Sequence, residues 1–242
     1  MAGAPRSPEQ VVGPFVEQMQ GVFGPDLLSI ALYGSAARGE YRPGRSDINF
    51  FVILSSEPDE RLGPLLSFLP RWRKWKVRIP RIVSWDYVQG SLDSFPVEFL
   101  SLKLFHRTVY GQDLLGDLSI DKGHLRLQCE RELKGKLLHL REGYLLAQRD
   151  RSRMERLVAV SLPAFATVFE ALLYLKGEQP PSRRRELFER VAESFGLSGQ
   201  VFSRLLDVRG GHLRLGKEEL SNLCREYLGQ IRAICQAVDR MD

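Results

Sequence analysis

The stretch Leu32-Tyr33-Gly34-Ser35-Ala36-Ala37-Arg38-Gly39-Glu40-Tyr41-Arg42-Pro43-Gly44-Arg45-Ser46-Asp47-Ile48-Asn49-Phe50-Phe51-Val52-Ile53-Leu54 decides how this chain folds. An apolar run, Leu27 to Tyr33, ends in Gly34-Ser35, which reads as a buried strand closed by a tight turn into a short helix. A polar segment with Gly39 and a Pro43-Gly44 turn follows, and Ile48 to Leu54 reads as a second buried strand. A glycine at a strand-to-helix turn lets a polyphosphate approach the backbone. The Ser35 hydroxyl and the first helical amides can then donate to its oxygens. Positions 47 and 49 lie two apart on a strand, so their side chains share a face. An acidic pair there would hold Mg²⁺ beside the phosphates, the usual way that ion is bound. In this chain the pair is Asp47 and Asn49.

Outward from that stretch the first half alternates helix and strand signals. Ser7, Pro8 and Gln10 predict a capping box, and Val11, Phe15 and Met19 with Val12 and Val16 form one apolar helical face that Gly24-Pro25 ends. Ser56 and Pro58 predict the opening of another helix, with Pro70 closing it. Val77 to Ser84 and Val97 to Leu104 predict two more strands, with a short helix near Tyr87 to Leu92 between them. The second half carries helical spacing. Leu125, Cys129, Leu133, Leu137, Leu140 and Tyr144 step by three or four along a long amphipathic helix. Met154 to Leu175 is apolar on nearly all sides and predicts the centre of a bundle, with Pro163 inside it. Glu178 to Ser182 predicts a turn, and Arg185 to Phe195 and Glu218 to Val238 predict further helices. The pattern changes near 117 to 121, which predicts domains at 1–118 and 119–242.

At 242 residues, 43% hydrophobic and 27% charged, the chain has the composition of one large globular domain or two small ones. Its net charge of +5 is mild and spread out, so it permits an anionic partner without requiring nucleic acid. Three cysteines (Cys129, Cys224, Cys235) lack metal-ligand spacing and cannot all pair, which fits a reducing compartment. The first ten residues lack the apolar core of a signal peptide. Leu157 to Leu175 is interrupted by Pro163 and Glu170 and reads as a buried helix, not a membrane span. The expectation is a cytoplasmic protein without a membrane partner.

Gly-Ser, a dozen residues, then Ser-Asp-x-Asp opening an apolar strand is the signature of the DNA polymerase beta-type nucleotidyltransferase superfamily. That group includes the kanamycin and streptomycin nucleotidyltransferases and the minimal nucleotidyltransferases of toxin–antitoxin pairs. Residues 26 to 54 resemble it closely, the chain to about 115 more loosely, and the helical half only in architecture. The resemblance implies an α+β fold, in which a small mixed-sheet nucleotidyltransferase domain precedes an all-α helical-bundle domain. It implies transfer of a nucleoside monophosphate from an NTP, ATP first, to a hydroxyl of a small molecule or protein. Two Mg²⁺ (or Mn²⁺) ions on three carboxylates assist that reaction, and homodimers occur in such enzymes.

Carried over by position, Gly34, Ser35, Arg38 and Ser46 bind the nucleotide, Asp47 is catalytic and the first metal ligand, and Asn49 stands where the second carboxylate is expected. Glu98, in Phe-Pro-Val-Glu-Phe-Leu, resembles the Pro-Val-Glu strand of the aminoglycoside enzymes and is the candidate third ligand or base. If Pro80 to Ser84 is the equivalent strand instead, Arg81 stands there and the third ligand is missing. An amide in place of a carboxylate removes one unit charge, worth up to about 4 kcal/mol at about 4 Å and an effective dielectric near 20. Asn49 therefore opens a second reading, a nucleotide-binding or protein-interaction module of the same fold without turnover.

Other cationic features have plainer readings beside the functional ones. Arg38 contacts phosphate or pairs with Glu40. Arg71 to Arg81 interleaves cations with Trp72 and Trp75, which suits a nucleic-acid backbone or, equally, a helix end with inward-packed indoles. Nucleic acid ranks well behind the other two readings. Arg183 to Arg185 reads as a solvated helix start, His106 and His139 as structural, and Cys224 and Cys235 as core.

Overall fold

The computed structural model describes residues 5–148 and 150–241. The first four residues of the N-terminus read above lie outside them. The chain divides into two compact units: one is built from the chain up to Asp93 plus Phe99–Ile120, the other from Ser94–Glu98 plus the chain from Asp121 onward.

In the first unit the strands β1 (Leu27–Tyr33), β2 (Asn49–Leu54), β3 (Arg81–Ser84) and β4 (His106–Gly111) form one mixed sheet in the order β3-β2-β1-β4. β1 runs antiparallel to both β2 and β4, and β2 pairs with β3 in parallel. Helix α1 (Glu9–Phe23) buries Val11, Phe15, Met19 and Phe23, the face predicted by their spacing. That face lies on the even positions of the sheet, Ile30, Leu32, Phe50, Val52 and Leu54. The Phe15 and Phe50 rings stack with centroids 3.9 Å apart. Each such side chain taken out of water contributes roughly 2 kcal/mol, so α1 and the sheet need one another to form.

Several local predictions are corrected. Ser7 does not cap α1, which has no side-chain cap; Gln10 instead accepts from the Arg6 amide at 2.8 Å. Residues 56–70 form two 3₁₀ segments, Asp59–Arg61 and Gly63–Phe68, and Pro70 sits near the start of α2 (Leu69–Lys74) instead of ending a helix. Proline is tolerated there because the first-turn amides have no helical acceptor. Only Arg81–Ser84 of the Val77–Ser84 run is a strand, with Val77 bridging singly to Ile48. α3 (Trp85–Gly90) is capped by Ser84, whose Oγ accepts from the Tyr87 amide at 3.0 Å.

The run Val97 to Leu104 is not a strand. It forms α4 (Pro96–Leu104). A short apolar run burying Val97, Phe99, Leu100 and Leu102 is compatible with either state. Pro96 at its first position fits a helix start. The fourth strand, β4, lies just beyond, where no strand was predicted.

The second unit is helical among its described residues: α5 (Lys122–Ala147), α6 (Arg151–Leu175), α7 (Arg184–Ser194), α8 (Gly199–Gly210), missed in the sequence reading, and α9 (Lys217–Val238). Asp121 and Asp150 cap α5 and α6 by accepting from the His124 and Arg153 amides. α6 is long and apolar enough to cross a membrane by length and composition. It packs against α5, α7, α8 and α9, and Phe165 and Phe169 join Phe188, Phe202 and Tyr227 in a cluster of edge-on and tilted rings. The three cysteines are buried and unpaired; burial, with Glu132 and Glu98 nearby, pushes the Cys129 thiol up to about 12.

Side-chain hydrogen bonds within each unit contribute to its stability. The buried Gln128 carboxamide accepts from the Val97 amide at 2.8 Å and donates to the Glu98 carboxylate at 2.8 Å. Gln128→Leu strands both partners and should lower stability by about 1–3 kcal/mol in urea denaturation. In the first unit Asp26 accepts from Ser55 Oγ at 2.6 Å and from Arg61 at 2.5 Å, tying the start of β1 to the end of β2. The Ser55 bond, then Arg61, holds its carboxyl below the ordinary value. A carboxyl whose folded pKa is depressed adds stability above its unfolded pKa, and that stability is lost as pH falls through the folded pKa. Denaturation midpoints measured at about pH 6 and about pH 3 should therefore drop less in Asp26→Asn than in wild type.

Candidate functional site

The register of β1 on β2 places Tyr33 opposite Asn49, so the turn that follows Tyr33 and the residues that precede β2 meet at one edge of the sheet. Gly34 has φ +74°, a conformation that side chains disfavour, and the chain turns through the 3₁₀ segment Gly34–Ala36. Backbone bonds from Arg38 N to Gly34 O (3.1 Å) and Glu40 N to Ser35 O (2.9 Å) hold the loop. A methyl group at Gly34 would lie 3.0 Å from the side-chain amide nitrogen of Asn49, so the carboxamide covers the turn.

Ile48, Phe50 and Val52 point into the α1 core, leaving Asp47, Asn49 and Phe51 to the opposite face. Phe51 meets Tyr33 there edge-on, with centroids 6.4 Å apart. Asp47 is half exposed, with the Arg78 Nε at 3.7 Å. β3 brings Arg81 into register with Phe51, and the Arg81 guanidinium carbon lies 5.9 Å from the Tyr33 ring centroid. Tyr33 is on β1, two strands from β3, so the Arg81 side chain crosses β2 on the face of Asp47 and Asn49.

Residues 15–110 match a family model described as a nucleotidyltransferase domain. The chain carries a nucleotidyltransferase domain. No curated protein matches the chain. Among solved structures, spectinomycin adenyltransferase AAD(9) from Enterococcus faecialis, with ATP and spectinomycin, is similar with a TM-score of 0.58 and 12% identity, over 93% of this chain and 99% of that one. That likeness is one of fold. A nucleotidyltransferase-like protein from Exiguobacterium sibiricum aligns over 95% of this chain and 74% of its own at 15% identity, with a TM-score of 0.37.

Set against the three carboxylates that the resemblance implies, the donors of this nucleotidyltransferase domain do not fit a pair of Mg²⁺ ions. On the face described above Asp47 is anionic, Asn49 is neutral, and β3 contributes Arg81. Glu98 lies on helix α4 instead of the strand predicted for it, and its carboxylate accepts from Gln128. Among the described residues no group of three His, Cys, Asp or Glu side chains could hold a metal ion.

The remaining residues take specific places. Arg38 stacks on Phe105 with its guanidinium carbon 3.7 Å from the ring centroid, and donates to Ser101 Oγ at 3.2 Å. The Ser46 Oγ accepts from the Arg42 amide at 3.0 Å and closes the 42–46 turn. Trp72 is buried and donates to Gln18, and Arg71 lies over Trp75 at 5.0 Å, so the cationic stretch 71–81 packs its indoles as a helix end does. Arg78 was missed as a site residue: only the single Ile48–Val77 bridge sets it beside Asp47, and one-dimensional spacing carries no such signal.

Gly34→Ala combines a strained φ with the close approach to Asn49, and should cost about 1–2 kcal/mol in chemical denaturation. Adding Asn49→Ala should recover the contact part of that loss and leave the backbone part, a coupling that a double-mutant cycle reads directly.

Proposed function

We propose that the protein binds a nucleoside triphosphate, ATP first, with its phosphates against the Gly34–Ser35 turn, and that metal-assisted transfer of a nucleoside monophosphate to a hydroxyl is weakened in it. The observation that supports this reading is the edge where Tyr33 faces Asn49, which sets the left-handed Gly34 turn beside a strand start that carries Asp47 and the neutral Asn49. Ser35, Arg38 and Ser46 are assigned to nucleotide contact with it. Residues 1–118 are the nucleotide-handling part and 119–242 the helical part. Three unpaired thiols suit a reducing, cytoplasmic setting.

The second reading is a working transferase, with Asp47 as the metal-binding catalytic carboxylate. It is favoured by the retained turn and Asp47 and by the fold likeness to an adenyltransferase. A small hydroxyl-bearing acceptor is then placed first and a protein hydroxyl second.

Calorimetric titration of ATP, GTP, CTP and UTP, paired with a pyrophosphate-release assay over hydroxyl acceptors, separates the two. The binding reading expects a saturable isotherm and pyrophosphate at background, and Asn49→Asp should raise Mg²⁺ affinity by at least about tenfold. Pyrophosphate release by wild type that vanishes in Asp47→Ala would establish the transferase. An absence of binding by any nucleotide would sink both.

A further inference from the structure

We propose that Arg81 performs the task that a bridging metal would perform: its guanidinium grips the nucleotide phosphates directly, so that nucleotide binding needs no divalent cation. The inference rests on the nucleotide-binding reading above and names what holds the phosphates.

Its first support is position. Arg81 enters from β3 in register with Phe51, and its side chain passes over β2 to end 5.9 Å from the Tyr33 ring centroid. Tyr33 is opposite Asn49 and immediately precedes Gly34. The guanidinium therefore stands on the face that carries Asp47 and Asn49, against the ring of the residue that precedes Gly34. Stacking on an aromatic face orients the planar fork without using any of its N–H donors. Those donors match two phosphate oxygens at once in a fixed planar geometry.

Charge is the second support. Three carboxylates loaded with two Mg²⁺ ions present one net positive charge to a triphosphate. Asp47 with Arg78 beside it and Arg81 across β2 also presents one net positive charge, from side chains alone. Asn49 belongs to the same exchange. A carboxylate at that position would pair with Arg81 and repel a phosphate that carries no metal, whereas a carboxamide can donate to it. The two departures from the family pattern, Asn49 and Arg81, thus favour the same ligand.

The test titrates ATP into the full-length protein in EDTA and again in excess Mg²⁺, for wild type and for Arg81→Gln and Arg81→Lys, with thermal melting as a check of folding. Wild type is expected to bind in EDTA with a Kd within about threefold of that in Mg²⁺. Arg81→Gln is expected to lose at least about tenfold in EDTA, and Arg81→Lys to fall between, because it keeps the charge and loses the fork. Binding by wild type only with Mg²⁺, or an Arg81→Gln affinity equal to that of wild type, overturns the inference and leaves nucleotide binding standing. No binding in either buffer overturns both. Should Arg81→Gln fail to fold, the EDTA and Mg²⁺ titrations of wild type decide alone.

Discussion

The antiparallel pairing of β1 with β2, with Tyr33 opposite Asn49, is the constraint on which the rest of the first unit depends. Side chains alternate along a strand, so a slip of one residue would turn Phe50 and Val52 out of the core and Asp47 and Asn49 into it. The stack of Phe15 on Phe50 and the closure of α1 over Ile30 and Leu32 lock the register that the site requires. The same pairing sets the glycine turn beside the start of β2, so the core and the candidate site are two faces of one hydrogen-bonded ladder. The bonds from Asp26 to Ser55 and Arg61 secure its far end.

Much of this was legible in the chain because local and long-range demands agree. Leu27–Tyr33 and residues 49–54 are apolar on both faces and bounded by turn residues, and they are β1 and β2. The three- and four-residue steps of Leu125 to Leu140 leave one buried stripe on α5, as amphipathic spacing requires. Where the elements are short, the pattern is degenerate. Val97–Leu104 has the composition of a buried strand and the length of two helical turns, and its burial on several sides hides the period that would separate them. β4 escaped for the opposite reason: His106, Arg107 and Thr108 give an edge strand with no fully buried position.

The candidate site was legible to the same extent. Gly34, Ser35 and Asp47 lie on either side of one connection, so spacing alone brings them to one edge. The third partner cannot be read in that way, because it depends on which later segment pairs with β2. Assigning that place to Glu98 required residues 97–104 to be a strand; once they are helical, Glu98 is held by the Gln128 carboxamide and Arg81 is the residue that β3 contributes. The two alternatives that the chain left open are separated by a parallel pairing between segments some thirty residues apart in sequence, Phe51 with Arg81, which no local propensity encodes.

Asn49 and Arg81 make sense as a pair more readily than as separate losses. A lone Asp-to-Asn change in a three-carboxylate site leaves two anions that still attract a divalent ion. A lone arginine among three carboxylates would be neutralised by ion pairing and closed to a ligand. With both present, a divalent ion approaching to about 6 Å of a single guanidinium meets a repulsion of about 5 kcal/mol at an effective dielectric near 20, with Asp47 opposing it. Asp47 itself has Arg78 beside it. On the proposed reading the face disfavours the cation and attracts the anion, while the glycine turn needs neither metal nor carboxylate to hold its shape. Such a surface would keep recognition of phosphates without the charge arrangement that the resemblance implies for transfer.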